Sequence, residues 1–334
     1  MKIRLTKISV LFLISIMILV ACNLPSSKTE ATALPVASDT PVINIPPTDI
    51  QHQTVPINLP AERTNHAGDF DSSTTANAKR SAGGDRFTYE QYERPFNPNT
   101  MDIYFPYLDI VDTFAYQDNI WIYGTMVMKG LDNNHALPGK YGFQLDIDQD
   151  GKSDWFVIAS NPSSTNWATS GVQVFQDANH DVGGLKPMFS DKPPAGDGFE
   201  TLVFDQGKGN DADTAWVRIA PDSPNTVQVA LKRSLVNNDD TYLMNMWAGT
   251  SIMNPALFDI NDHFTHEQAG AADPGFENYY PIKAVAELDN SCRMAIGFVP
   301  TGNEPGLCST YVPGEQPGSA PTPCIPGITF VGCR

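Results

Sequence analysis

Residues 140–160 read KYGFQLDIDQDGKSDWFVIAS, and this stretch decides the fold class. Its first part alternates apolar residues with small or polar ones, the apolar positions being Tyr141, Phe143, Leu145 and Ile147. Its last part, from Trp155 onward, is a short apolar run rich in aromatic and β-branched residues. Alternation with a period of two predicts a strand with one buried face, and a short apolar run next to turn signals predicts a buried strand. The stretch therefore predicts two strands joined by an acidic loop.

Similar strand patterns continue on both sides of this stretch. They cover residues 120–128, 171–175, 201–204, 215–220 and 226–231, and turn signals rich in Asn, Asp and Gly separate them. Helical patterns are few, and residues 89–94 form one candidate short helix. Eight or more strands within about 210 residues favour a mainly β fold, with one antiparallel β-sandwich domain over residues 86–299.

The acidic loop has the spacing D-x-D-x-D-G-x-x-D. Carboxylates at alternate positions suit a hard cation, because a tight turn brings their oxygens to one centre and a glycine permits the turn. The predicted ligands are the side chains of Asp146, Asp148, Asp150 and Asp154, with the backbone carbonyl of Lys152. An EF-hand needs a bidentate glutamate where Val157 stands, and it needs flanking helices instead of strands.

In these residues the loop resembles the strand-loop-strand calcium loops of FG-GAP-type repeats, and it is similar to dockerin and thrombospondin type 3 loops. The resemblance covers about ten residues and implies structural calcium but no particular activity. FG-GAP loops recur in propeller blades, whereas this loop occurs once, which argues against a propeller. The alternative is an acidic, solvated hairpin turn that binds no ion.

A second acidic loop follows the next predicted strand and carries Asp177, Asn179 and Asp181. Its D-x-N-x-D spacing again places oxygens at alternate positions. Three interpretations stay open: the loop completes the first site, forms a site of its own, or is a turn rich in Asx hydrogen bonds.

The start of the chain predicts export. A basic head with Lys2, Arg4 and Lys7 precedes an apolar run from Ile8 to Val20, which is the build of a secretory signal peptide over residues 1–21. The following letters L-V-A-C, ending at Cys22, resemble the lipobox of bacterial lipoproteins. The resemblance implies cleavage before Cys22, a diacylglyceryl group on its sulfur and often further acylation, as by palmitate. The protein would then be extracytoplasmic and anchored to the cell membrane or outer membrane. The alternative is an ordinary signal, or an uncleaved anchor, with a chance cysteine.

Residues 22–85 are rich in Pro, Ser and Thr and show no period, so we predict a disordered tether. Residues 300–334 are rich in Pro and Gly and are predicted to wrap the sandwich as an irregular tail. Besides Cys22, the chain has four cysteines, Cys292, Cys308, Cys324 and Cys333. In an exported chain they predict two disulfides; a zinc site is the alternative, but no C-x2-C pair is present. Of three connectivities, pairing neighbours in sequence is the simplest.

The formal net charge is −17, and removal of the three positive charges of the signal makes it −20. A chain this acidic argues against a nucleic-acid partner, which requires clustered Lys and Arg. It argues equally against a polybasic membrane patch, so the lipid on Cys22 is the predicted contact with the membrane.

For function, the sequence favours a non-enzymatic surface protein that binds or scaffolds, with a glycan or an envelope protein as its partner. Trp167 lies in a polar loop and is the candidate platform for a sugar ring. The overall pattern of short strands is similar to that of carbohydrate-binding and DOMON-like sandwiches. One alternative is a secreted hydrolase, such as a glycosidase, that uses a carboxylate pair. Another is a purely structural envelope lipoprotein.

Overall fold

The computed structural model describes residues 51–81, 85, 87, 90–182, 198–258, 260–270, 281–304 and 306–308. Within these residues the chain forms two antiparallel sheets that pack face to face around one large apolar core. The predicted mainly β fold and its β-sandwich architecture are confirmed.

The strands are β1 Asn65–Gly68, β2 Glu93–Arg94, β3 Ile110–Gln117, β4 Trp121–Met128, β5 Lys140–Asp146, β6 Trp155–Ser160, β7 Val172–Gln176, β8 Thr201–Asp205, β9 Lys208–Gly209, β10 Ala215–Ala220, β11 Ser223–Lys232, β12 Tyr242–Gly249, β13 Leu288–Asn290 and β14 Met294–Ile296. Short helical segments are Ser73–Ala76, Arg233–Val236, Pro255–Leu257, Ile260–His263 and His266–Ala269. The smaller sheet has the order β1-β3-β4-β11-β10. The larger sheet has the order β2-β13-β12-β5-β6-β7-β8-β9, and β14 also pairs with β12.

The interior of the sandwich follows from the alternation on its central strands. On β4, Ile122 and Met126 face the core, while Tyr123 between them lies on the outer face. On β5, Phe143 points into the same core from the opposite sheet. A Cβ atom added at Gly124 would lie 2.7 Å from Phe143 Cδ1, so this glycine lets the two sheets approach closely.

Both outer faces are also covered. On the larger sheet, Phe156 and Trp247 pack against Phe258, whose ring centroid lies 4.3 Å from that of Phe156. On the smaller sheet, Trp121, Tyr123, Trp216 and Ala230 form an apolar patch against which Leu59 and Trp167 pack. Apolar side chains are therefore buried in three layers, one between the two sheets and one on the outer face of each sheet.

The predicted tether is wrong over the part of it that the structure describes. Asn65–Gly68 forms β1 and pairs with β3, and the carboxylate of Asp213 accepts hydrogen bonds from the backbone N–H groups of Gln53 and Thr54 at 2.8 and 2.7 Å. These residues belong to one compact unit, Asp49–Arg334. The domain therefore begins well before the predicted boundary at residue 86. The candidate helix over residues 89–94 is also wrong, because Glu93–Arg94 forms β2.

The end of the described chain carries a disulfide between Cys292 and Cys308, the pairing that the simplest connectivity predicts. Cys324 and Cys333 lie outside the described residues, as do Cys22 and the predicted signal sequence. In the part of the chain that the structure describes, no helix is both long and apolar enough to span a membrane.

Candidate metal centres

The first acidic loop, residues 146–154, connects β5 and β6 as predicted. Leu145 and Trp155 are cross-strand partners, and the Asp154 N–H donates to the Leu145 carbonyl at 2.8 Å, which closes the hairpin. Asp146 is the last residue of β5, and Asp154 directly precedes β6. The two strands thus fix the carboxylates at both ends of the loop.

The loop brings three of its predicted ligands together. Carboxylate oxygens of Asp146, Asp148 and Asp150 lie within 4.8 Å of one another. The loop backbone holds these side chains, because Gly151 N–H donates to Asp146 Oδ2 at 3.0 Å and Lys152 N–H donates to Asp150 Oδ1 at 2.7 Å. Gly151 has φ +95°, the left-handed region that the turn requires of a glycine.

Among the residues of this loop, Asp146 shows the strongest evidence of being a metal ligand. Its side chain is 2% exposed, and its Oδ1 is buried with no hydrogen-bond partner. A buried polar atom without a partner costs about 1–3 kcal/mol, and more when it is charged. Burial raises the pKa of Asp146 to about 6, and Arg293, with Nη1 at 3.7 Å from Asp146 Oδ2, offsets this only partly.

Asp154, the fourth predicted ligand, faces a neighbour that the sequence did not single out. Its Oδ2 accepts the Ile147 N–H at 2.6 Å, and its Oδ1 lies 3.3 Å from His180 Nδ1. Asp148, Asp154 and His180 form a second group whose candidate ligand atoms lie within 4.8 Å. Burial raises the pKa of Asp154, with the nearby Asp148 charge adding to the increase.

The second acidic loop, residues 177–182, packs against the first. Its Asp177 N–H donates to the Asp154 carbonyl at 2.9 Å, and Ser153 N–H donates to the Val182 carbonyl at 3.2 Å. The Asp177 carboxylate accepts the backbone N–H groups of His180 and Val182, each at 2.8 Å. This is the Asx-turn interpretation of the loop. The loop places His180 beside the first site, and the roles of Asp177, Asn179 and Asp181 as ligands stay predictions.

Trp167 is engaged within the protein. Its indole N–H donates to the Ile57 carbonyl at 3.1 Å, and the Arg218 guanidinium carbon lies 4.4 Å from its ring centroid. The side chain is half-buried on the outer patch of the smaller sheet. Arg218 packs over the Trp167 ring, and the role of Trp167 as a platform for a sugar ring stays a prediction.

The structure also contains an acidic group that sequence reasoning missed. We call it the inter-sheet cluster, and its members are Asp69, Glu93, Asp109 and Asp289. Oxygens of Asp69, Glu93 and Asp289 lie within 4.8 Å of one another. A single sequence holds no local signal for this cluster, because its members come from four separate segments.

Comparisons of the chain with protein-family models, with curated proteins and with solved structures find no match. The chemistry of the sites therefore rests on their own geometry. Clustered carboxylate oxygens are ligands for hard cations, and three groups within the described residues could hold a metal ion.

Proposed function

We propose that the protein is a lipid-anchored extracytoplasmic β-sandwich, stabilised by calcium in the first acidic loop, that serves as a binding or scaffolding module at the cell surface. The calcium assignment rests on Asp146. Its buried Oδ1 has no hydrogen-bond partner, and its carboxylate lies close to the carboxylates of Asp148 and Asp150. An ion that contacts Oδ1 would satisfy this oxygen and offset the repulsion between the three carboxylates.

Calcium fits this loop better than other metals do. The ligands are carboxylate oxygens on an irregular turn, and calcium accepts six to eight oxygens in flexible geometry. Zinc favours nitrogen and sulfur ligands in a tetrahedral arrangement, and His180 would be the single nitrogen donor of these groups. A disulfide in the folded domain is in keeping with export to an oxidising compartment, where free calcium is plentiful.

The calcium assignment is tested with the metal alone. After removal of bound metal with EDTA, the wild-type protein is titrated with calcium chloride in a calorimeter, beside the variant Asp148→Asn/Asp150→Asn. We expect the variant to bind one ion fewer per chain and to gain less melting temperature from millimolar calcium, because an ion that binds the folded state alone stabilises it. Equal stoichiometry in the two proteins would overturn the loop assignment.

The ligand at the surface is a separate part of the proposal. The β-sandwich is an architecture that glycan-binding modules use, so a glycan is the class to test first. A glycan array with the folded domain checks this, and a turnover assay on any retained glycan separates a binding module from a hydrolase. Binding of a glycan without turnover supports a binding module, whereas turnover supports a hydrolase. If no glycan on the array is retained, the proposal that the ligand is a glycan is overturned.

A further inference from the structure

The inter-sheet cluster lies where the edges of the two sheets meet. Asp69 directly follows β1 and Asp109 directly precedes β3, so both adjoin the smaller sheet. Glu93 in β2 and Asp289 in β13 belong to the larger sheet, where they are direct cross-strand partners. Residues directly opposite in an antiparallel pair point to the same face, and like charges in these positions destabilise the pair. The negative charges of the paired Glu93 and Asp289 carboxylates therefore need to be compensated.

The carboxylates of the inter-sheet cluster are also buried, which makes uncompensated charge on them more costly. Glu93 is 4% exposed, and Asp109 and Asp289 are both 0% exposed. Burial is the main cause that raises the pKa values of Glu93 and Asp289 well above their ordinary range, and the neighbouring carboxylates of the cluster add to it. An uncompensated buried charge costs several kcal/mol, so these groups hold either protons or a cation.

Two basic side chains of this region are engaged elsewhere. Arg94 Nε donates to Asp85 at 2.6 Å, and Arg94 Nη1 donates to the carbonyl of Ala269 at 2.8 Å. Since Arg94 follows Glu93 in the same strand, it points to the opposite face of the sheet. Lys129 forms its ion pair with Asp71, which is outside the cluster.

Hydrogen bonds position the carboxylates but leave oxygens over. Asp289 Oδ2 accepts the Ile110 N–H at 2.6 Å, which already links the two sheets, and Glu93 Oε2 accepts the Ser72 hydroxyl at 3.2 Å. Asp289 Oδ1 is buried without a hydrogen-bond partner, and the Asp69 and Glu93 carboxyl groups lie within hydrogen-bond distance of each other. One shared proton can join only a single pair of oxygens, whereas a cation can contact all three carboxylates at once.

We propose that Asp69, Glu93 and Asp289 bind a second hard divalent cation, of the calcium class, that fastens the edge of one sheet to the edge of the other. Calcium lies 2.3–2.6 Å from its oxygen ligands, so oxygens on opposite sides of one ion are about 5 Å apart. The spread of at most 4.8 Å among these three oxygens fits a shared ion. Asp109 is occupied by Tyr104 and by the Ser72 N–H, so it flanks the ion and adds negative charge.

The proposal is tested in a background that has lost the first site. Calcium chloride is titrated into the full folded domain carrying Asp148→Asn/Asp150→Asn, and into the same protein with Asp69→Asn added. Asp69 is half-buried, so its isosteric replacement is compatible with folding. We expect the first protein to keep a calcium site that the second lacks. Asp222→Asn, an exposed residue between β10 and β11, is the control for loss of one negative charge.

A second measurement separates the ion from shared protons. In EDTA the buried Glu93 carboxyl must be kept protonated or left uncompensated, and either costs stability, so we expect Glu93→Gln to raise the melting temperature there. In millimolar calcium the same variant loses a ligand, so we expect its melting temperature to fall below that of wild type. Shared protons predict no such change of sign, because calcium would then not contact the cluster. The proposal is overturned if Asp69→Asn leaves calcium stoichiometry unchanged, or if Glu93→Gln has the same effect with and without calcium. Neither result depends on the first acidic loop, so the two sites succeed or fail separately.

Discussion

Asp146 and Asp289 share one property, a buried carboxylate oxygen that no hydrogen-bond donor contacts. The sequence points to Asp146, because its neighbours in space are also its neighbours in the chain. Asp289 gives no such signal, since Glu93 and Asp69 lie about 200 positions before it. His180 was missed as a neighbour of Asp154 for a similar reason, as the second acidic loop had to pack on the first before the contact existed.

The pKa values of the inter-sheet cluster predict how stability depends on pH when metal is removed. Burial raises the pKa of Asp69 to about 6 and that of Asp109 to about 7, from an ordinary value of 3.8. The folded state then binds more protons than the unfolded state above about pH 4, so the free energy of unfolding falls as pH rises through 5 to 8. Each fully differing group contributes up to about 1.4 kcal/mol per pH unit.

Urea unfolding in EDTA at pH 5 and pH 8 measures this slope. Carboxylates with lowered pKa values, such as Asp71 and Asp213, titrate below this window and do not affect it. Glu93→Gln should flatten the slope, since a titrating group whose pKa is raised in the folded state is removed. Stability that rises with pH in EDTA would contradict the prediction.

Arg94 should be among the residues most sensitive to substitution outside the candidate metal centres. Its side chain is 0% exposed, and its ion-pair partner Asp85 is 1% exposed. Removal of one partner from a buried ion pair leaves the other charge uncompensated and typically costs about 3–5 kcal/mol. We therefore expect Arg94→Met to lower the free energy of unfolding by about that amount. The double variant Arg94→Met/Asp85→Leu should recover much of the loss, and a larger loss in the double variant would argue against the pair.

At the level of elements, the sequence predicts strands from alternation or from short apolar runs, and it misses others, among them β1, β3 and β12. The strands β4, β5, β6, β10 and β11 follow the predicted runs closely. The sequence of β1 is NHAG, which carries no hydrophobic period, because β1 is a short edge strand held by its backbone pairing with β3. From composition alone, the segment that contains β1 was predicted to be a disordered tether. In the structure, Leu59 in the same segment packs on the outer patch of the smaller sheet.

Truncation tests the corrected boundary. A chain that begins at residue 51 should unfold at nearly the same urea concentration as the longer chain, because it keeps β1, Leu59 and Asp69. A chain that begins at residue 86 should be strongly destabilised, since it loses an edge strand and uncovers Trp121 and Trp216. Dye binding to exposed apolar surface reports the uncovered patch. Equal stability of the two truncated chains would restore the boundary predicted from composition.

For the whole molecule, the anchoring proposal rests on the first 22 residues, which lie outside the described part of the chain. Cys22→Ser removes the sulfur that would carry the lipid. We expect this variant to appear either in the soluble fraction or as an uncleaved precursor, because lipid chains are what hold such a protein at a membrane. Fractionation and mass measurement of the mature chain check this. A mature-size variant that stays in the membrane would contradict lipidation at Cys22.

The order of the strands bears on how this protein reaches its native state. The two central pairings, β4 with β11 and β5 with β12, each join residues about 100 positions apart, and β13 near the end of the domain completes the edge formed by β2. Chains dominated by such non-local contacts fold slowly, since long loops must close before the contacts form. The larger sheet therefore cannot be completed until β12 and β13 have been synthesised, however early β4 and β5 appear.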